Sequence, residues 1–209
     1  MQNNQRNKKL LSFVKGINRK RKAQAKQIDI LCNDIINMHR GFLQTLNKLA
    51  FTADFCELMI GCEELPKLLA EASFRINRQI GPCNIVFFLP QAENQRIYVF
   101  ECEGSEEEKP SKLEQAFSHE LIDSVFKSNK ICMLDELLTM GLQVAPAALK
   151  NISAATVPIC EDGMAAGLVL VYKTPRDSIK REQLEYITAV RSALSRAIRT
   201  CVVSEHTGS

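Results

Sequence analysis

The stretch Ala154–Lys173, AATVPICEDGMAAGLVLVYK, constrains the fold more than any other. From Ala155 to Ile159, apolar Ala155, Val157 and Ile159 alternate with Thr156, Pro158 and Cys160, the period of two of a half-buried strand. Pro158 has no N–H to give to a ladder, so it marks an edge or a bend. Glu161-Asp162-Gly163 supplies a turn in which glycine takes a positive φ at little cost. Ala165 to Tyr172 then runs almost unbroken apolar. A run of strand length, rich in Val and Leu, predicts a strand covered on both faces and set mid-sheet. A buried helix segment is the rival, disfavoured by Gly167 and two valines.

A chain of 209 residues has room for one domain of ordinary size plus an extension, and 45% hydrophobic residues suffice for a real core. No apolar run approaches the roughly 20 residues that span a bilayer, and none follows the N-terminal charges as a secretion signal would. The expectation is a cytoplasmic protein that does not cross a membrane. The eight cysteines show no C-x-x-C and no close Cys/His pair. Cys83, Cys102, Cys132 and Cys160 fall in or beside strand-like runs, where a reduced thiol packs as a small hydrophobe. His39, His119 and His206 have no carboxylate or thiol at ligand spacing, no Ser-His-Asp spacing occurs, and no glycine-rich phosphate loop is present.

Charge is unevenly placed. Residues 1–28 carry nine Lys/Arg and no acid, which leaves 29–209 with 18 basic and 24 acidic residues, net −6. A basic arm precedes an acidic body. Its densest part, Arg19, Lys20, Arg21 and Lys22, is a candidate anion-binding site for a nucleic acid or an anionic membrane surface. It lacks the interleaved aromatics that stack on bases. The alternative is the solvated end of a helix.

Residues 1–9 are polar and read as frayed. A helical pattern starts at Leu10 and extends to about Met59, with Gly61 ending it. Ile28, Leu31, Ile35, Met38, Phe42 and Leu49 recur at three-and-four spacing, broken at Thr45; running backwards the same register collects Leu10, Val14 and Ile17 but puts Arg21 and Gln24 in the seam. Such a run predicts a coiled coil, with these six residues as the interface of a homodimer. An amphipathic helix packed on its own domain is the alternative. At 1.5 Å per residue the helix is longer than a small domain is wide, which favours the intermolecular seam.

A second helix starts at Glu64-Leu65-Pro66, buries Leu65, Leu68, Leu69, Ala72 and Ile76, and stops at Gly81-Pro82. Strands follow at Asn84–Leu89 and Arg96–Cys102, joined through Gln91–Gln95. Gly104–Lys112 reads as a charged loop. Leu113–Lys127 reads as one helix with Phe117, Leu121, Ile122, Val125 and Phe126 inward, and Ile131–Leu134 as a short strand. Asp135 is the expected cap of a helix through Leu137 and Leu138, and Ala145–Lys150 is a further helical piece. After the hairpin, Asp177 to about Val203 forms the closing helix. Ile187, Val190, Leu194, Ile198 and Cys201 lie inward, and Arg181, Arg191, Arg196 and Arg199 lie in solvent. The predicted division is 1–61 arm and long helix, 62–203 domain, 204–209 tail.

The element order and the segment ISAATVPICEDGMAAGLVLVYK, followed by Ile179-x-x-Glu182-x-Leu184-x-x-Ile187 and Ala197-Ile198, resemble the GAF domain family over about residues 62–200. SNKICMLDE, Ser128–Glu136, is similar to that family's short strand ending in Asp. The resemblance implies an α+β fold, a GAF-like antiparallel sheet with helices packed on it, here preceded by the long N-terminal helix. It implies a sensory or regulatory module, with a small ligand between the sheet and segments 104–126 and 135–150. Phe100, Cys102, Phe117, Leu121 and Asp135 are the candidate ligand-binding residues, and they serve equally as core. Fold alone names no ligand or cofactor. The cyclic-nucleotide motif Asn-Lys…Phe-x-x-x-Asp-Glu is replaced by Tyr172-Lys173…Ile179-Lys180-Arg181-Glu182-Gln183, and no cysteine is followed by histidine as in bilin-binding members. Output is expected in trans, through an unidentified signalling protein. The alternative is a redox enzyme of the free methionine sulfoxide reductase kind, with Cys102 as nucleophile.

Overall fold

The computed structural model describes residues 2–90, 95–100, 113–144, 152–161, 164–173 and 178–207, with side chains from Leu10 to Val203 among them except Gln95. The segments predicted at Gly104–Lys112, Ala145–Lys150 and Asp162-Gly163 lie outside the described residues. The chain divides into two units, Met1–Asn47 and Lys48–Ser209.

The first unit consists of the N-terminal part of helix α1 (Gln2–Met59). The helix begins at Gln2 rather than Leu10, so the polar start is helical instead of frayed. Every described side chain from Leu10 to Asn47 is exposed.

The second unit takes in the last turns of α1. The sequence places the domain boundary at 61–62, but Phe55 and Met59 are buried in the domain core and Phe51 packs against it. These three recur every four residues, so one helical face belongs to the domain from Lys48 onward. Gly61, at φ 96°, follows the end of the helix. Helix α2 (Leu65–Ile80) has Pro66 in its first turn and buries all five predicted inner residues. It closes at Gly81, φ 87°, whose N–H donates to the Asn77 carbonyl at 2.9 Å.

Five strands form one antiparallel sheet: β1 (Asn84–Pro90), β2 (Gln95–Phe100), β3 (Cys132–Met133), β4 (Ser153–Glu161) and β5 (Met164–Lys173). Their order is β2-β1-β5-β4-β3, so the apolar run of the hairpin is the central strand, as expected of a strand buried on both faces. β4 is buried on both faces too, instead of half-buried. Ala155, Val157 and Ile159 enter one core, Ala154 enters the other, and Thr156 is fully covered. Among the described residues β3 pairs only with Ala155 and Thr156 and no other strand flanks β4 beyond them, where Pro158 sits without costing a ladder bond.

Helix α5 (Arg181–Thr207) lies with α2 over the face formed by Ile85, Phe87, Leu89, Val169 and Val171. The Gln183 carboxamide caps its start, accepting from Lys180 N–H at 2.9 Å. The helix starts after the predicted Asp177 and runs on to Thr207, so the first residues of the predicted tail are helical. All five predicted inner residues are buried. Its arginines are not simply solvated. Arg196 and Arg199 both pair with the half-hidden Glu161 carboxylate at the end of β4. Arg191 reaches the Asn129 side chain at 3.5 Å and Arg181 the Ile131 carbonyl at 3.4 Å. The helix thereby gains anchors on the β4 end of the sheet that hydrophobic period alone does not reveal.

The opposite face, Val86, Phe88, Leu168, Leu170 and Tyr172, is covered by a 3-10 turn (Leu113–Ala116), α3 (His119–Ser128) and α4 (Leu134–Thr139). The single helix expected over 113–127 is interrupted at Ser118, whose extended backbone and hydroxyl make it an N-cap, accepting from Leu121 N–H at 3.2 Å. Asp135 does not cap α4. Glu136 reaches back one turn, and its carboxylate accepts from Met133 N–H at 2.7 Å. Asp135 instead sits within the first turn, where its charge complements the helix N-terminus.

Candidate functional site

The face under α3 and α4 is where a ligand between sheet and helices would lie. Its described part is packed. Phe117 stacks on Phe88 with ring centroids 5.2 Å apart, and Leu121, Ile122 and Val125 of α3 are buried in the same cluster. The period of α3 aims these three residues at the sheet, and the Ser118 cap fixes the direction of entry.

The four described candidate residues do not converge. Phe117 and Leu121 belong to this face. Phe100 pairs with Ile85 across β1–β2 and meets Phe87 edge-on at 5.8 Å, on the α2/α5 side of the sheet. Residues directly opposite on paired strands share a face, so the β2 residues turned toward the α3 side are Ile97 and Val99, opposite Phe88 and Val86. Both are exposed, at 48% and 41%. Sequence reasoning missed them although a step of one along β2 was enough to find them. Asp135 is exposed and lines a surface cavity of about 390 Å³ with Met133, Leu134, Ser153 and Ile179. A second cavity, about 490 Å³, is bounded by Gln115, Ser118, Glu120 and Ser124 with Met140 and Gln143. Cys102 lies outside the described residues.

No disulfide joins any of the seven described cysteines to another. Cys83 donates to the Asn77 carboxamide oxygen at 2.8 Å, and the Cys83 N–H reaches the same oxygen at 3.0 Å, so this thiol ties the end of α2 to the start of β1. Cys132 is buried, and Cys160, half-buried, contacts Asn129 Oδ1 at 2.8 Å. Among the described residues no group of three His, Cys, Asp or Glu side chains is placed to hold a metal ion. His39 and His119 are exposed.

Lys173, where the cyclic-nucleotide motif keeps its lysine, is buried at the end of β5. Its ammonium donates to the Ile80 carbonyl at 3.0 Å, and Gln183 donates to the same oxygen at 2.9 Å. A carbonyl that the end of α2 leaves open is thus satisfied twice, and the lysine links α2, β5 and α5.

On α1, Ile28, Leu31, Ile35, Met38, Phe42 and Leu49 are each 59–67% exposed. Arg19, Lys20, Arg21 and Lys22 are exposed in helical conformation. No described helix is long and apolar enough to cross a membrane.

A central antiparallel sheet, helices α2 and α5 on one face and short helices on the other, defines an α+β domain. The chain has the GAF fold. It resembles the GAF domain of a phosphoenolpyruvate-protein phosphotransferase from Coxiella burnetii, with 12% identity, TM-score 0.56, and coverage of 77% of this chain and 98% of the other. A GAF sensor protein from Burkholderia vietnamiensis matches at 12% identity and TM-score 0.53, over 76% and 98% of the two chains. The free methionine-R-sulfoxide reductase of Neisseria meningitidis, solved with its substrate, matches at 10% identity and TM-score 0.52, over 75% and 91%. The sequence matches no family model and no curated protein.

Proposed function

We propose that this chain is a non-enzymatic sensory or regulatory GAF module, homodimeric through α1, that passes its state to a signalling protein in trans. The observation that carries this reading is the seam on α1. Six large apolar side chains at heptad spacing stand 59–67% exposed, a surface that a second copy in matching register covers. A GAF sensor and a GAF domain from a phosphotransferase among the similar structures agree with it. Ligand binding on the α3 side would bias the dimer only through different affinity for its two states.

The test is light scattering on the intact chain, on Ile35→Asp/Phe42→Asp and on a truncation beginning at Lys48. The intact chain is expected to be a dimer at micromolar concentration and both variants monomers. An intact monomer refutes the seam. The reductase reading has its own support in the Neisseria neighbour and in Cys102. Turnover of free methionine sulfoxide that is lost in Cys102→Ser would replace the sensory reading with it.

A further inference from the structure

The dimer seam is interrupted by Arg21 and Gln24 before it reaches the first apolar residues of α1. Leu10, Phe13, Val14 and Ile17 lie at i, i+3, i+4 and i+7, hence on one face, and are 43–67% exposed. They stop short of the seam, because Arg21 and Gln24 hold the intervening positions of the stripe. Lys15, Arg19, Lys22 and Lys26, at i, i+4, i+7 and i+11, line the opposite face, and Lys20 borders the apolar one. No acid occurs before Asp29. From Leu10 to Lys26 the helix is about 25 Å long.

We propose that residues 10–26 form a peripheral membrane-binding helix that lies on an anionic bilayer. Leu10, Phe13, Val14 and Ile17 enter the headgroup boundary, and Lys15, Arg19, Lys22 and Lys26 face the negative lipid headgroups. The joint presence of an apolar face and a continuous basic one is the signature of an interfacial helix. A nucleic acid would use the cations but leave Phe13 and its neighbours in water. A bilayer with phosphatidylserine-like headgroups matches both halves, its acyl boundary the apolar face and its headgroups the cations. The proposal rests on this segment alone and does not need the dimer, although two copies would strengthen binding.

The chain contains no tryptophan, so Phe13→Trp makes a single-site reporter. The experiment measures binding of the full chain to extruded vesicles of phosphatidylcholine with and without phosphatidylserine, with light scattering and circular dichroism on each variant. Expected are sedimentation with the anionic vesicles only, a blue shift of the indole emission on them, and loss of affinity as salt rises from about 50 to about 200 mM. Arg19→Gln/Lys20→Gln/Arg21→Gln/Lys22→Gln is expected to weaken binding by about 600-fold, at about fivefold per cation. Leu10→Ser/Val14→Ser is expected to weaken it with every charge retained. A monomer that still binds vesicles upholds the membrane role and removes the dimer. Three results overturn the proposal. One is no binding to anionic vesicles. Another is an apolar variant that binds as tightly as the parent. The third is duplex DNA binding as tightly as the vesicles, with the indole emission unmoved by lipid.

Discussion

Gly167 offers a test of how closely β1 and β5 are pressed together. A Cβ added there would stand 2.6 Å from Leu89 Cδ2 and 2.9 Å from the Phe88 carbonyl oxygen. Leu89 is buried and cannot swing clear into solvent, and the carbonyl belongs to the paired strand β1. Gly167→Ala therefore has to push two central strands apart. Removing a glycine by itself stabilises by about 0.5–1 kcal/mol through the unfolded chain. Overpacking in a core costs about 1–3 kcal/mol, and a backbone obstacle belongs at the upper end. The net is about 2 kcal/mol lost, equivalent to a Tm drop of about 4–8 °C for a unit of this size. Gly41 in α1 provides the control, since a Cβ there meets nothing within 4 Å. Gly41→Ala should leave the domain unfolding untouched and gain about 1 kcal/mol of helix propensity. Urea and thermal unfolding followed by circular dichroism measure both. A Gly167→Ala protein as stable as the parent would show that the strands are not packed at this distance.

The two arginines on Glu161 should differ. Arg199→Ala is expected to cost about 1 kcal/mol, because its guanidinium also holds Ser195 and is partly covered, whereas Arg196, 74% exposed, should cost under about 0.5 kcal/mol. Equal losses in urea titrations would contradict that ranking. Ser118→Ala removes the cap of α3 and should lower stability by about 1 kcal/mol, while Ser118→Asp should retain it. Chemical denaturation of the three proteins checks this, and an unchanged midpoint for the alanine variant would rule the cap out as a stabilising contact.

The parts of the fold set by apolar period were legible before any coordinates. The central strand of the hairpin, the inner face of α2 and the five buried residues of α5 follow from repeats of two or 3.6 residues. Features set by contacts distant in sequence were not. The burial of β4 on both faces depends on which helices cover the sheet, and a pattern of alternate Thr156 and Pro158 cannot report that. Ser118 lies inside a good helical period, so the break shows only once its hydroxyl finds Leu121 N–H. Phe100 and Phe117 group as site residues by their expected facing and by their position in the family resemblance. The β1–β2 register, which the sequence of the link leaves open, puts them on opposite faces. The compact unit begins at Lys48 rather than after Gly61, because Phe51 and Phe55, which join its core, lie off the stripe that marks α1 in the sequence.

The hairpin pairing slips between Ile159 and Cys160, so that Ile159 faces Gly167 but Cys160 faces Ala165. Ala166 is the surplus residue, and it enters the α2/α5 core although its even-numbered neighbours Leu168 and Leu170 point the other way. The irregularity thus separates two zones of length tolerance. Below it, adding one residue would exchange the two faces of the central strand and destroy both cores. Above it, between Glu161 and Met164, the chain can be lengthened without altering which side chains the sheet buries. That makes the tip of this hairpin the natural port for a grafted loop, a reporter or a cleavage site, built on the most firmly held strand of the domain.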